Sequence, residues 1–402
     1  MAPLFRDFSF TSLTSGLLSA FVGFSSSFAV IVQGLTAVGA SPAEAASGLM
    51  MAAVAMGLAG IILSLRYRMP LSVAWTTPGA AFLATLHAPE GGFAVTVGAF
   101  MLAAALTILA GLWRPLGRLA EAIPTPLANA MLAGILVPLC LAPFRAMGVM
   151  PEIALPIFLA WAVMARISRL LAIPAAILVA TVLVLRGLEP GAFALGQFWS
   201  PPVFVMPQLT LAAVAGIALP LFVLTMASQN VAGIAVLKSF GYTPKAGPLI
   251  SFTGLMALLS APFGSPGVNM AAITAALCAG PEANPDPDRR YWSAIVAGIG
   301  YAIMGLGAAI AVAVMAVAPP EVIAAVAGLA LLGALAGSLA ASVADPTARE
   351  ASVITILITA SGVSFFGIGG AFWGLLAGAA LYAWDTRKLR RAAAEAEAEA
   401  AE

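Results

Sequence analysis

Apolar residues in this chain gather into long runs, separated by short interruptions of charge, Gly or Pro. Fourteen such stretches are recognisable. In the first half they fall near residues 11–36, 43–64, 76–87, 92–112, 123–142, 150–165 and 169–186. In the second half they fall near 209–237, 247–261, 266–279, 291–317, 320–341, 349–363 and 367–384. Most are long enough for a helix to cross the roughly 30 Å hydrocarbon core of a bilayer. The pattern therefore predicts an all-α polytopic membrane protein with both polypeptide ends on the same side.

The third and tenth stretches break the pattern. SAPFGSPGVNMAAITAAL, Ser260 to Leu277, opens with Pro262, Gly264, Pro266 and Gly267 and only then becomes a helix former. A helix from Pro266 to Cys278 would rise about 20 Å, too short to span the core alone. MPLSVAWTTPGAAFLATL, Met69 to Leu86, has the same character. Extended backbone followed by a half-helix is tolerated at membrane depth only where it is buried in protein or lines a cavity, because its N–H and C=O groups need partners. A pair of broken segments in matching halves points to a transporter's binding site.

Composition agrees: 62% of the 402 residues are hydrophobic and 9% charged, with a mean hydropathy of +1.04. The net charge of +1 gives no reason to expect a nucleic-acid partner. Its placement is more telling than its size. With a cytoplasmic N-terminus, sixteen of the eighteen Lys and Arg residues fall on the inside, and only Arg145 and Arg186 fall outside. The positive-inside rule then places both termini in the cytoplasm and supports the segment count. The implied location is a bacterial-type cytoplasmic (inner) membrane. Seven plus seven segments make the halves inverted repeats, and traces of the relation survive. Gly39 and Pro42 align with Gly241 and Pro244, TPG at Thr77–Gly79 with SPG at Ser265–Gly267, and Pro126 and Gly134 with Pro320 and Gly328.

Half-helices starting near mid-membrane direct unpaired N–H groups and a positive dipole end at the cavity, which suits a carboxylate. Gly79, Ala80, Gly267, Val268 and Asn269 are the predicted backbone donors. Gln229 and Asn230 lie inside the eighth stretch, where amides need partners, and Asn269 is expected to join them from the half-helix. Ser25, Ser26 and Ser27 occupy the matching part of the first stretch, where hydroxyls also bond readily to their own helix. An aromatic acid needs an apolar slot, and Phe24, Phe28, Trp75, Phe82 and Phe263 are the ring candidates. No Asp or Glu falls at mid-membrane, and His87, the only histidine, sits at the outer end of the first half-helix. Cys140 and Cys278 are expected to be buried free thiols. No metal cluster or nucleophile with a base is present, so no metal, cofactor or enzyme activity is expected. Gly370, Gly374 and Gly378 form a small-residue ridge for close packing against a neighbouring helix or the second protomer of a homodimer.

LPLFVLTMASQNVAGIAVLKSFGY and PFGSPGVNMAAITAALCAGPEANPDPDRRYWSA resemble the benzoate/proton symporter (BenE) family. The run GPEANPDPDRRYW is the most distinctive part, and the resemblance extends from Phe10 to Trp384. That family is similar in architecture to the uracil-permease group. The resemblance implies fourteen segments in a 7+7 inverted repeat, the third and tenth each a short strand plus a half-helix. It also implies a core domain from residues 1–120 and 206–318 and a gate domain from 121–205 and 319–385, with a low-complexity tail over 386–402. The expected function is proton-coupled import of benzoate or a similar aromatic carboxylate. An exchanger for another planar or organic anion and a passive anion channel are the alternatives. The uracil-permease group has acidic residues in its eighth and tenth segments, where this chain has Gln229, Asn230 and Asn269. That departure leaves the proton without an acidic carrier.

Overall fold

A computed structural model describes residues 7–113, 124–187, 200–365 and 368–401. The connector 188–199 and the cations Arg6, Arg114 and Arg118 lie outside the described residues, as do the side chains of residues 388–401. A helix, or a strand with a half-helix, falls at each of the fourteen predicted stretches. In chain order these begin with α1 (Phe10–Ser25), α2 (Phe28–Ala37), α3 (Pro42–Tyr67), β1 (Val73–Trp75), α4 (Thr77–Ala84) and α5 (Phe93–Leu112). Then come α6 (Thr125–Cys140), α7 (Ala142–Val149), α8 (Pro151–Ile167) and α9 (Ala172–Gly187). The second half runs α10 (Leu211–Ser239), α11 (Ala246–Ser260), β2 (Val268–Met270), α12 (Ile273–Ala279), α13 (Tyr291–Leu306), α14 (Ala308–Val317), α15 (Pro320–Ser342) and α16 (Arg349–Ala360). A two-residue ladder, β3 (Ser364–Phe365) with β4 (Ile368–Gly369), leads into α17 (Gly370–Ala401). Among the described residues, seven helices are long and apolar enough to cross a membrane, or eight if α13 and α14, bent by 51°, form one span. The chain is thus an all-α polytopic membrane protein.

Local chemistry explains the breaks. α3 starts sharply at Pro42 because Ser41 and Glu44 form a reciprocal cap, with Glu44 Oε2 accepting from the Ser41 N–H at 2.8 Å. The first span is interrupted at Ser26 and Ser27, between α1 and α2. α10 widens by one residue at Val214–Ala218. Pro220 lies just beyond and has no N–H for the carbonyl four residues back, which accounts for this bulge. A second wide turn spans Met226–Asn230. The short α7 had no counterpart in the apolar pattern.

The helices pack in two groups. α13 lies along α3 and α1, while α11 lies against α5 and α3. The approach is close: a Cβ on Gly298 would sit 2.6 Å from the Gly57 carbonyl oxygen. A second group joins α6 to α15, α16 and α17, and α8 to α9. The glycine ridge of α17 is used inside this group. Thr359 and Thr355 of α16 fill the space beside Gly374 and Gly378, so the ridge serves a neighbouring helix.

The extended chain before α10 is strapped over the first group. The Val203 N–H donates to Ser47 Oγ at 2.8 Å, the Val205 N–H to the Pro262 carbonyl at 2.8 Å and the Gln208 N–H to the Ala94 carbonyl at 2.9 Å. At the other end of the molecule, Asp7 meets Arg68 at 3.4 Å and Arg289 at 3.9 Å. The buried Arg290 donates to the carbonyls of Ala279 and Asn284 at 2.8 and 2.7 Å. Arg290 thereby neutralises the C-terminal carbonyls of α12. These contacts tie the Glu282–Arg290 loop to its own helix group and do not bridge the two groups.

Candidate functional site

The two broken segments meet. β1 and β2 pair antiparallel, with Val73 opposite Met270, Ala74 opposite Asn269 and Trp75 opposite Val268. From this crossing α4 and α12 depart toward opposite ends. A two-residue-wide ladder leaves edge N–H and C=O groups that have no water to turn to at membrane depth, and side chains supply the missing partners. Asn230 Oδ1 accepts from the Met270 N–H at 3.0 Å. The Asn269 amide, in the orientation its neighbours require, accepts from the Thr76 N–H and donates to the Met270 carbonyl, both at 3.2 Å. The Ser72 carbonyl accepts from the Ala271 N–H at 3.0 Å. Thr76 Oγ1 caps α4 by accepting from the Gly79 N–H at 3.1 Å, and it lies 3.1 Å from Thr225 Oγ1 on α10.

Several sequence expectations change here. The tenth segment does not become helical at Pro266. Gly267 has φ +139°, a conformation that cannot start a right-handed helix and that only glycine adopts freely. The chain therefore runs extended through Val268–Met270 and turns helical at Ile273. Gly267, Val268 and Asn269 are thus not first-turn donors of a half-helix. Pro-Gly follows the strand in the first half and precedes it in the second, so the TPG-to-SPG alignment is out of register. The Gly79 N–H goes to Thr76 Oγ1 and the Ala80 N–H to the Thr76 carbonyl at 2.8 Å, so both donors are spent within α4. Phe263 lies at the far end of the first helix group, 5.8 Å edge-on from the exposed Phe204 and away from the crossing.

Other expected residues do gather there. Phe24 stacks on Phe28 with centroids 5.9 Å apart and tilts against Trp75 at 5.1 Å. Trp75 Nε1 donates to Ser27 Oγ at 2.8 Å, which holds the indole against the break in the first span. The hydroxyls of Ser25, Ser26 and Ser27 all donate back to carbonyls of their own helix. Ser27 gives the first turn of α2 no side-chain cap. Asn230 and Asn269 are fully buried and hold backbone. Gln229, in the wide turn of α10, is half-buried and makes no hydrogen bond to a described residue. Among the three amides it is the one with donors to spare.

Between the two helix groups, on the side toward which α4 points, opens a cavity of about 810 Å³. Phe82, Ile135, Leu139 and Ile217 give it apolar walls, while Thr210 brings a hydroxyl; His87 and Glu90 are exposed at its rim. Sequence reasoning had no signal for Thr76 or Thr225, since isolated threonines in apolar runs look ordinary until their neighbours are known. No cluster of metal-ligating side chains occurs among the described residues. Cys140 and Cys278 are buried free thiols.

Comparison with known proteins bears on this geometry. Residues 6–384 match the model of the BenE family, described as benzoate membrane transport protein. The chain is 39% identical over 377 residues to the inner membrane protein YdcO of Escherichia coli, covering 92% of this chain and 95% of that protein. It is 30% identical over 386 residues to the benzoate membrane transport protein of Acinetobacter baylyi, covering 95% and 97%. Among solved structures, the transmembrane domain of the cyanobacterial bicarbonate transporter BicA superposes with a TM-score of 0.61 at 15% identity, over 92% of this chain and 98% of that one. SLC26A9 superposes with a TM-score of 0.62 at 12% identity, over 95% of this chain and 66% of that one. At such identities the likeness shows a shared fold.

Proposed function

The chain belongs to the BenE family of benzoate membrane transport proteins, a family of transporters and not of enzymes, and from that premise we propose that it imports benzoate or a similar aromatic carboxylate together with a proton. One observation carries the reading. Two half-helices leave a strand crossing beside an interrupted first span, and one amide there, Gln229, is uncommitted. The carboxylate takes donors from Gln229 and from the uncapped first turn of α2, where the helix dipole also favours negative charge. The ring lies against Phe24, Phe28 and Trp75. The helix group built on α1, α3, α5, α10, α11 and α13 acts as the core, and the group around α6, α15, α16 and α17 as the gate. Fourteen segments in a 7+7 repeat, with both termini cytoplasmic, complete the arrangement and turn the large cavity outward.

Coupling follows from energetics. Importing a monoanion against an inside-negative potential costs about 2.3 kcal/mol per 100 mV. One proton carried along makes the translocated charge zero. The substrate carboxyl, with a pKa of about 4 like an Asp or Glu side chain, is itself able to carry it. The test is uptake of labelled benzoate by purified protein in liposomes. An inward proton gradient should accelerate uptake. Uptake indifferent to the gradient refutes the coupling, and absent uptake of benzoate refutes the substrate.

A further inference from the structure

Each half-helix ends in the negative pole of its dipole, and the chain meets the two ends differently. At the C-terminus of α12 the buried Arg290 donates to the Ala279 carbonyl at 2.8 Å, which sets a permanent positive charge there. At the C-terminus of α4, Thr85 Oγ1 donates to the Phe82 carbonyl at 2.7 Å, a bond that brings no charge. Three residues after Ala84, the last of α4, comes His87, exposed and lining the large cavity.

The rest of the lining isolates this group. Among the described residues the ionisable side chains of the cavity are His87 and Glu90, both from the loop after α4; α6, α10, α16 and the start of α17 present none. The ion pairs of the described residues all gather around Asp7 and Arg289, so His87 and Glu90 are not paired. With His87 neutral, the cavity mouth holds a carboxylate and the negative end of α4, and both repel an arriving anion. With His87 protonated, a cation offsets them. Histidine is the side chain that makes this change between pH 5 and 8. We propose that His87 is the entry residue of the cavity, admitting a small aromatic carboxylate when protonated and holding it off when neutral. The imidazolium meets the carboxylate, and the half-buried Leu86, Pro138 and Leu139 beside it in the lining take the ring. Acid on the cavity side then charges the entry residue and also supplies the proton that travels with the cargo. The inference rests on the transport reading for the identity of the anion, but the charge at the mouth is tested without transport.

The test uses Ala212→Cys, an exposed position that lines the same cavity. The native thiols are both buried, so methanethiosulfonates report the introduced thiol alone. Labelling rates with an anionic and a cationic reagent are measured on the purified full-length protein at about pH 5.5 and about pH 8, near the two ends of the range in which histidine changes charge. Their ratio cancels the ionisation of the thiol and reads the local charge. At low ionic strength a unit charge about 10 Å away in water changes that ratio about fourfold. The anionic-to-cationic ratio should therefore rise about fourfold from the higher pH to the lower. It should stay low at both in His87→Gln and high at both in His87→Arg, and the differences should vanish in about 1 M salt. A flat ratio, or a step of equal size in His87→Gln, overturns the proposal. Benzoate uptake is read beside it, with variant and parent compared at equal pH on both sides of the membrane. His87→Gln should match its parent at the higher pH and fall behind at the lower through KM, with kcat unchanged; uptake equal to the parent at both refutes the entry role. A pH step in labelling without benzoate uptake upholds the charge switch and refutes the transport reading, whereas uptake with a flat ratio does the reverse.

Discussion

Replacing Asn230 and Gln229 by alanine, one at a time, separates holding from binding at the crossing. The two are neighbours in the wide turn of α10, yet their surroundings differ. Asn230 is fully buried, and its Oδ1 is the partner of the Met270 N–H at 3.0 Å, while its Nδ2 has only the Met226 sulfur at 3.4 Å. Asn230→Ala orphans that N–H where no water reaches, at a cost of about 1–3 kcal/mol, before counting the void left by the amide. For a chain of this size that lowers the unfolding midpoint by roughly 1–4 °C. Gln229→Ala removes a half-buried side chain with no protein partner and should shift stability by no more than about 0.5 kcal/mol. If the amide donates to a carboxylate, its loss costs about 1.5–3 kcal/mol of binding, a roughly ten- to hundredfold weaker affinity for benzoate. Thermal unfolding is readable with a thiol-reactive fluorophore, because Cys140 and Cys278 are buried until the fold opens. Affinity comes from titration of the same samples. Equal stability of wild type and Asn230→Ala would refute the structural role. Unchanged affinity of Gln229→Ala would refute its part in the site.

Three further substitutions probe the frame. Ser27→Ala removes the acceptor of the buried Trp75 Nε1–H and should destabilise by about 1–3 kcal/mol, while Ser27→Thr, which keeps the oxygen, should not; thermal unfolding decides. Gly298→Ala places a methyl 2.6 Å from the Gly57 carbonyl oxygen, so α3 and α13 must separate, at about 1–3 kcal/mol. An unfolding midpoint equal to wild type would contradict that packing. Asp7→Asn breaks two long, partly exposed ion pairs with Arg68 and Arg289; the loss should stay below about 1 kcal/mol and vanish in high salt, measured as unfolding at two ionic strengths.

Length and hydropathy alone made the spans legible, because a bilayer demands about twenty apolar residues of every helix that crosses it. The two broken segments were legible for the converse reason, since Pro and Gly within apolar runs signal backbone that cannot be continuous helix. What failed was register within them. Pro-Gly looks alike whether it caps a helix, as at Pro78–Gly79, or turns the chain into a strand, as at Pro266–Gly267; only the φ of Gly267 and the pairing of Trp75 with Val268 separate the two. Phe263 was misplaced by the same error, because the later helix start leaves the extended chain from Gly264 to Gly267 between it and the crossing. The amides were correctly singled out as buried and polar. Which of them holds backbone and which is free depends on a partner forty residues away, Met270 for Asn230, and no local pattern encodes that. The cavity was invisible for a related reason: its walls come from α4, α6, α10 and α16.

The division of labour among the amides has a consequence for coupling. Every side chain that ties the crossing is uncharged: Thr76 and Thr225 through hydroxyls, Asn230 and Asn269 through amides. A carboxylate in place of Asn230 could accept the Met270 N–H equally well, but ionised it would set a negative charge beside an anionic substrate in a low-dielectric site. Protonated, it would give its proton up only at the expense of that repulsion. Neutral amides avoid both states, so the crossing keeps one charge state throughout the cycle. Under the proposed reading, moving the core then carries no fixed charge through the membrane field, and the only group at the site that changes charge is the substrate carboxyl. On that reading the proton is assigned to the cargo, and no acidic side chain is needed where Gln229, Asn230 and Asn269 stand.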